Sequence, residues 1–416
     1  MRGALQLNVI PMALAFFLLL PVAAVVPRGM PVWLLVSALL AGLSILLPRR
    51  VWPPAPPLAL AGLAALAVWA AAAALWSPSP RAWSSAIAVI YAILGGLVLI
   101  QAVRALAPEE RQQLCRVFLA GAALGLGLMI FEILTDHSLH RFVSHVPSDS
   151  PVGGNVPKRA AALLAMLAWP VAALVMRRLR PHMGRVGAMA VLAGTMILPF
   201  AMIWPSRAAS AGVAAGMVVL LTAWISLTWT RRILSLLVVT GFLGMVPAGL
   251  ALPSLAQKTD GWLFASAQQR LDIWHASAQR VMIKPAQGWG TDAARAFDDP
   301  DTARHLQGLP ADQPVTTSLH PHNGFLQIWM EWGAVGVGVI LFLWAALMGV
   351  VRRLDDELQA LALGMLACAL VVLNTAYGLM QAWWICGHVA SVLIMIMVAT
   401  SISTKGKTDR KIADSA

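Results

Sequence analysis

Apolar runs of bilayer-crossing length recur along the whole chain, separated by short polar turns, and only one polar stretch is long. A helix needs about 20 mostly apolar residues to span the hydrocarbon core. Twelve runs approach that length, at 8–26, 31–48, 57–76, 83–103, 113–134, 160–176, 186–204, 208–229, 233–252, 324–350, 358–377 and 384–401. Charged turns are abrupt: Pro108-Glu109-Glu110-Arg111 divides the fourth run from the fifth, and Pro205-Ser206-Arg207 the seventh from the eighth. Short alternating segments of the kind a transmembrane barrel requires are not visible. The pattern therefore predicts an all-α, polytopic membrane protein with about twelve transmembrane helices and one large helical loop. Residues 1–252 carry nine spans and a shorter loop at 135–159, 253–323 form the large loop, 324–401 carry three spans, and 402–416 are a basic tail. The first run starts near Asn8 with Arg2 its only preceding charge, so it reads as a span and not as a cleavable signal.

Composition agrees with this division. Hydrophobic residues make up 59% of the chain and charged residues 12%, a balance that excludes an ordinary soluble domain. The net charge of +12 comes from basic residues flanking the spans and does not call for nucleic acid. Arg49 and Arg50, Arg177, Arg178, Arg180 and Arg185, Arg231 and Arg232, Arg352 and Arg353, and the tail Lys405, Lys407, Arg410 and Lys411 all fall on one side. The alternate short loops carry little beyond Arg28 and Arg81. The basic side is expected to be the cytoplasm, with both termini there and both longer loops exported. Cys115, Cys368 and Cys386 lie in or beside apolar runs, which disfavours a disulfide framework or a cysteine-ligated metal. No internal repeat suggests a transporter built from two related halves.

Within the large loop, Leu271, Trp274, Ala278 and Val281 recur at helical spacing, predicting an amphipathic helix over 262–283. Arg270 lies at the edge of that face and Arg280 projects away from it. Arg270 is thus pressed toward the membrane, either snorkelling at the interface or serving a site. Lys284-Pro285 ends the helix, and Gly288-Trp289-Gly290 then allows close backbone approach to a partner or ligand. Asp298-Asp299-Pro300-Asp301 reads as a solvated loop, its pattern interrupted by proline. Trp76, Trp83, Trp204, Trp329, Trp332, Trp383 and Trp384 mark expected span ends, as an interfacial aromatic belt would.

The loop ends in His320-Pro321-His322-Asn323, at the boundary where the tenth apolar run begins. Histidine takes and returns protons near neutral pH, so this pair is a candidate for proton transfer. It also reads as two interfacial polar residues. A zinc site needs at least three protein ligands, and no carboxylates of fixed spacing accompany the histidines. Asn323 suits the cap of the helix it precedes. Glu331 lies four residues after Gln327 on the same helix face and should point to protein or a wet cavity, orienting the loop or a histidine. Arg207, between two spans, and Lys158 with Arg159, opening a third, put cations on the same side as Arg270. That field suits a lipid-linked pyrophosphate, and equally the anionic headgroups of membrane lipids.

Taken in order, these residues resemble the O-antigen ligase family, within a superfamily that also holds polymerases and related oligosaccharyltransferases. His322-Asn323, nine residues and Gly333-Ala334-Val335-Gly336 resemble the family's His-Asn and Gly-x-x-Gly signature. Arg270 with Ile273-Trp274, then Pro285 and Gly288-x-Gly290, are similar to the loop pattern preceding that histidine. Ser206-Arg207 resembles a Ser-Arg pair between two central spans, though Ala208 follows where glycine or threonine is common. Asn155 to Arg159 with Ala160-Ala161-Ala162 is similar to the segment opening the middle of ligases. The resemblance covers about Asn155 to Gly338. It implies a glycosyltransferase in the bacterial inner membrane that works on the periplasmic face without a metal or nucleotide cofactor. A glycan would pass from undecaprenyl pyrophosphate to a sugar hydroxyl of lipid A–core. His322 would be the general base, and Arg207 and Arg270, with Lys158 and Arg159 nearby, would hold the pyrophosphate. His320, Asn323, Glu331, Gly288 and Gly290 would support them. An O-antigen polymerase or protein O-oligosaccharyltransferase shares the pattern, but one dominant loop and a short basic tail favour a ligase. A lipid-linked sugar transporter would need ionisable residues deep in its spans, whereas here they collect at the boundary.

Overall fold

The computed structural model describes residues 6–147, 155–202, 206–256 and 265–401. Every regular element among them is helical. In order these are α1 (Ile10–Val25), α2 (Met30–Ala41) running through a π-turn into α3 (Leu47–Arg49), α4 (Pro57–Ala74), α5 (Ala82–Ala105), α6 (Pro108–Leu134) and α7 (Ser138–Ser144). There follow α8 (Asn155–Met202), α9 (Arg207–Ile225), α10 (Leu227–Ala256), α11 (Ala265–Ile283), α12 (Pro300–Gln307), α13 (Gly324–Val351), α14 (Asp356–Leu373) and α15 (Ala382–Thr400). Eleven helices among the described residues are long and apolar enough to cross a membrane. The protein is an all-α, multi-pass membrane protein. The sixth and seventh runs both fall on α8, whose backbone breaks at Gly184 (φ 66°, ψ −172°) and stays helical to Met202. The end of the seventh run, including Trp204, lies outside the described residues. So do Gly153 and Gly154 before α8, and Trp262 before α11.

Small residues let the helices approach where no hydrophobic effect drives them together. Gly121 and Gly125 of α6 press on α1: a Cβ on Gly121 would overlap the Phe17 carbonyl, and one on Gly125 would meet Leu20 Cβ at 2.6 Å. Gly212 and Gly216 of α9 do the same on α14, where a Cβ at Gly216 would lie 2.6 Å from the Gly364 carbonyl. The buried Trp169 of α8 wedges against that crossing. α10 begins at Leu227, before the Arg231-Arg232 pair expected to divide two spans, because Ser226 Oγ accepts from Trp229 N–H at 3.4 Å and starts the helix early.

The bundle has two chemically different ends. At one, Arg49 grips Glu110 through two bonds of 2.6 and 3.0 Å, Arg177 pairs with Asp355, and Arg231 reaches Gln359. At the other lie α7, the large loop and the segment joining α14 to α15. Along α8, Arg177 is 18 residues from Arg159, about 27 Å of helical rise.

The loop packs as a small helical layer on the bundle. α11 lies against α10, where His275 Nδ1 meets the Gly249 carbonyl at 3.1 Å, and against the start of α13. Ala278 and Val281 are buried as their spacing predicts. Arg280 is not directed to solvent as helix geometry alone suggests. It is 3% exposed, lies 4.4 Å from the Phe297 ring centre and donates to the Thr316 carbonyl at 2.6 Å. The short 3₁₀ turn Ala293–Asp298 folds over that side of α11, and desolvation pulls the guanidinium down to about 10. The aspartate run is a helix start and not a loop: Asp299 accepts from Thr302 N–H at 2.8 Å and Pro300 takes the first helical position. The tryptophan belt also fails in part. Trp332, Trp383 and Trp384 are buried, because the loop and the α14–α15 segment cover the helix ends where a belt would face lipid. Trp83 remains exposed.

Candidate active site

His322 occupies a left-handed conformation (φ 54°), which is uncommon for a side chain with a Cβ and needs outside support. The preceding turn supplies it. His322 N–H donates to His320 Nδ1 at 3.3 Å, and the two rings pack 4.2 Å apart between centroids. Trp274 of α11 donates to the Pro321 carbonyl at 3.0 Å. Asn323 caps α13, its Oδ1 accepting from Leu326 N–H at 3.1 Å. His322 Nδ1 then lies 2.8 Å from the Ala376 carbonyl. A carbonyl only accepts, so Nδ1 carries the proton and Nε2 keeps a free lone pair. Burial, and then the charge of Arg270, hold this imidazole below the ordinary histidine range, while the Ala376 bond works in the opposite direction. His320 is pushed down to about 3 by burial, and further by His322 and Arg295. His320 stays neutral with Nδ1 already engaged by the His322 N–H.

The glycine signature acts one layer behind. α13 breaks at Gly333 (φ 61°, ψ −162°). Ala334 and Val335 then donate to Pro285 and Ala286 of the loop, at 2.9 and 3.2 Å. The carbonyls they leave, on Met330 and Glu331, accept from Trp289 and Gly290 at 2.8 and 2.7 Å. The loop thus replaces two helix hydrogen bonds, and Gly288 (φ 69°) and Gly290 (φ 103°) make the approach possible. A Cβ on Gly288 would overlap the Glu331 carbonyl, and one on Gly290 would sit 2.6 Å from the Ala73 carbonyl. The partner these glycines approach is protein backbone. Thr291 completes the junction by donating through N–H to Ala73 and through Oγ1 to Ala70.

Glu331 is fully buried, and its side-chain hydrogen bonds go to Gln327 and Asp292, away from His322. Its oxygens accept from Gln327 Nε2 at 2.9 Å and from Asp292 N–H at 3.0 Å, so it orients the loop. The Asp292 carboxylate is raised by burial, against the pull of Arg295 at 3.2 Å and of Ser85.

The cations surround the same end. Arg270 stands one turn before Trp274 on α11 and its charge reaches His322. Arg207 opens α9 behind the Ser206 cap and is exposed. Gly212 of α9 packs on Val372 and Cys368, so the start of α9 lies at the end of α14 that leads to Ala376. Lys158 and Arg159 are in the first turn of α8, Lys158 exposed and Arg159 half-buried. Arg159 Nε has no hydrogen-bond partner among the described residues, and its charge is felt by Tyr377 beside Ala376. His322, His320 and Asn323 are thus brought together directly, Arg270 lies near enough for its charge to act on His322, and Arg207, Lys158 and Arg159 gather at the same end. Among the described residues, no three His, Cys, Asp or Glu side chains cluster to hold a metal ion. The Ala376 carbonyl carries no sequence signal, since any residue would provide it. Asp292 and Tyr377 are also absent from the sequence reading.

Residues 200–341 match the sequence profile of the O-antigen ligase family. That interval holds Ser206-Arg207, Arg270, the Gly288-x-Gly290 turn, His322-Asn323 and Gly333 to Gly336. A protein named "putative polysaccharide ligase" in Rickettsia prowazekii is 23% identical over 284 residues, and its namesake in Rickettsia typhi gives the same figures. Each alignment covers 65% of this chain and 65% of the relative. A third namesake, from Rickettsia conorii, is 26% identical over 131 residues, 31% of either chain. The chain thus spans about two thirds, 65%, of the length of the first two relatives.

Proposed function

We propose that this chain, whose residues 200–341 match the O-antigen ligase family, moves a glycan from undecaprenyl pyrophosphate to a sugar hydroxyl of lipid A–core. The observation that carries the reading is the held imidazole: His322 Nδ1 on the Ala376 carbonyl at 2.8 Å, Nε2 free, and a cation beside it. His322 Nε2 takes the proton of the acceptor hydroxyl. The freed oxygen attacks the anomeric carbon as the bond to pyrophosphate breaks, and undecaprenyl pyrophosphate leaves with the electron pair. Arg207 and Arg270, with Arg159 and Lys158 near, stabilise the charge that develops on the leaving group. Guanidinium forks suit phosphate oxygens, so these cations can do the work for which other enzymes recruit a divalent ion.

The arginine-rich end of the bundle faces the cytoplasm by the positive-inside rule, which puts the large loop and His322 in the periplasm of the inner membrane and both termini inside. Surrounding lipids and the donor's polyprenyl chain then share the bilayer with the spans.

The test is reconstituted protein in nanodiscs with lipid-linked glycan and one of three acceptors: lipid A–core, a second lipid-linked glycan, or a hydroxyl-bearing peptide. Glycan appearing on lipid A–core supports the ligase. Glycan on the second donor molecule alone would make the protein a polymerase, and on peptide alone a protein O-oligosaccharyltransferase. A chelator added to the productive arm should leave the rate unchanged, and a loss restored by a divalent ion would overturn the metal-free chemistry.

A further inference from the structure

The carbonyl that fixes His322 belongs to the segment between α14 and α15, and this segment is tied back to α13 through one side chain. Gln327 is 2% exposed and both ends of its carboxamide are used. Its Nε2 donates to Glu331 at 2.9 Å, and its Oε1 accepts from Leu379 N–H at 2.9 Å. The direction of the amide is not arbitrary. The Leu379 N–H can only donate, so the amide oxygen must face Leu379 and the amide nitrogen must face Glu331. Leu379 lies three residues after Ala376. Nearer the histidine, Asn374 Oδ1 accepts from Phe325 N–H at 3.2 Å, and Gly378 packs on the His320 ring. The Gln327 bond closes the far side of this turn.

We propose that Gln327 is a positioning residue for His322. It holds the 374–381 turn so that Ala376 keeps the proton on Nδ1 and leaves Nε2 free. The role rests on His322 being the base. It links the buried Glu331 node to the site.

The experiment uses the full chain in nanodiscs with ¹⁵N-labelled histidine rings, His322→Ala serving to assign the His322 signals. Wild-type protein should show Nδ1–H and an unprotonated Nε2. Gln327→Met keeps the volume but neither hydrogen bond, and should give a mixed tautomer. Its kcat should fall about 10²-fold, the scale of a misplaced catalytic group, with KM for the lipid-linked glycan unchanged. Gln327→Glu keeps an oxygen for Leu379 and, with the buried carboxyl pair sharing a proton, a hydrogen bond to Glu331, and should retain the Nδ1–H signature. Should Gln327→Met not assemble, Gln327→Ser, too short to reach Leu379, takes its place under the same outcomes. Ser235→Ala, which breaks the 3.1 Å bond from Trp344 lower on α13, should leave the signature untouched. A wild-type tautomer and kcat in Gln327→Met overturns the proposal, as does equal loss in all three variants. Full ligation by His322→Ala would overturn the functional reading instead, and the ring signature separates the two failures.

Discussion

The backbone N–H of Trp289 donates to the carbonyl of Met330 at 2.8 Å, the bond that Ala334 would make in an unbroken helix. Ala334 turns away to Pro285, and the next pair, Gly290 on Glu331 and Val335 on Ala286, repeats the exchange. A broken transmembrane helix leaves polar backbone without water to satisfy it, at a cost of several kcal/mol per group. The loop removes that cost and is fixed in return. The site's position thus depends on an interlock between two glycine motifs 43 residues apart, as 333 minus 290 gives.

Alanine at Gly288 or Gly333 should therefore weaken the fold more than alanine at an ordinary left-handed glycine. Left-handed backbone alone costs a non-glycine residue about 1–3 kcal/mol. At Gly288 and Gly333 the new methyl also overlaps the carbonyls of Glu331 and Ala286. Gly184, at the break in α8, has nearly the backbone of Gly333 (φ 66°, ψ −172°) but open space around it, and so isolates the conformational part. Thermal unfolding in detergent should rank Gly184→Ala clearly above Gly288→Ala and Gly333→Ala in stability. Equal losses in all three would remove the interlock as the cause.

Asn323 starts α13 directly after the proposed base, so its cap should matter more than its amide nitrogen. Asn323→Ser and Asn323→Asp keep an oxygen for Leu326 N–H and should stay near wild type in stability. Asn323→Ala loses the cap at about 1 kcal/mol and should lower ligation with it. A fully active Asn323→Ala would uncouple the cap from the histidine.

Much of this was readable in the sequence, and the missing part has a common cause. Spans follow from hydropathy, and His322, Asn323 and the glycines stand out because each residue type is nearly obligatory for its task. The Gln327–Glu331 spacing is visible as a shared helix face. What sequence could not give is what lies across from each residue. Arg280 looks solvent-directed on an isolated helix and is buried because the loop covers it. Trp332 and Trp384 look interfacial until another segment covers the helix end. The Ala376 carbonyl is backbone, so its identity leaves no mark.

As the proposed base, His322 must be neutral to accept a proton, so the rate should rise with pH through its pKa and level off above it. Burial and Arg270 both lower that pKa, which puts the midpoint below the usual value of about 6.5 and keeps the base competent at neutral pH. Removing the charge in Arg270→Gln should move the midpoint upward. NMR titration of the His322 ring reads the shift independently of turnover. A downward or absent shift would mean Arg270 does not act on the imidazole.

Lysine at position 270 keeps the charge and so should keep the depressed histidine pKa, but it lacks the planar fork that meets two phosphate oxygens at once. Arg270→Lys is therefore expected to lose most activity while its His322 titration stays near wild type. Full activity would reduce Arg270 to an interfacial cation.

The sharpest division is between the base and the charges around it. His322→Ala removes the proposed proton acceptor and leaves Arg207, Arg270 and Arg159 where they stand, because α9, α11 and α8 position them without the imidazole. Loss of a general base typically costs about 10²–10⁴-fold. His322→Ala should therefore insert, retain affinity for the lipid-linked glycan, and fail in transfer by that factor. On the proposed mechanism Arg207→Ala should instead weaken donor binding as well as turnover, since its charge would act on the pyrophosphate before and during departure. Binding of radiolabelled donor beside single-turnover transfer separates the two. Wild-type transfer by folded His322→Ala protein, or lost donor binding in that variant alone, would transfer the base role elsewhere.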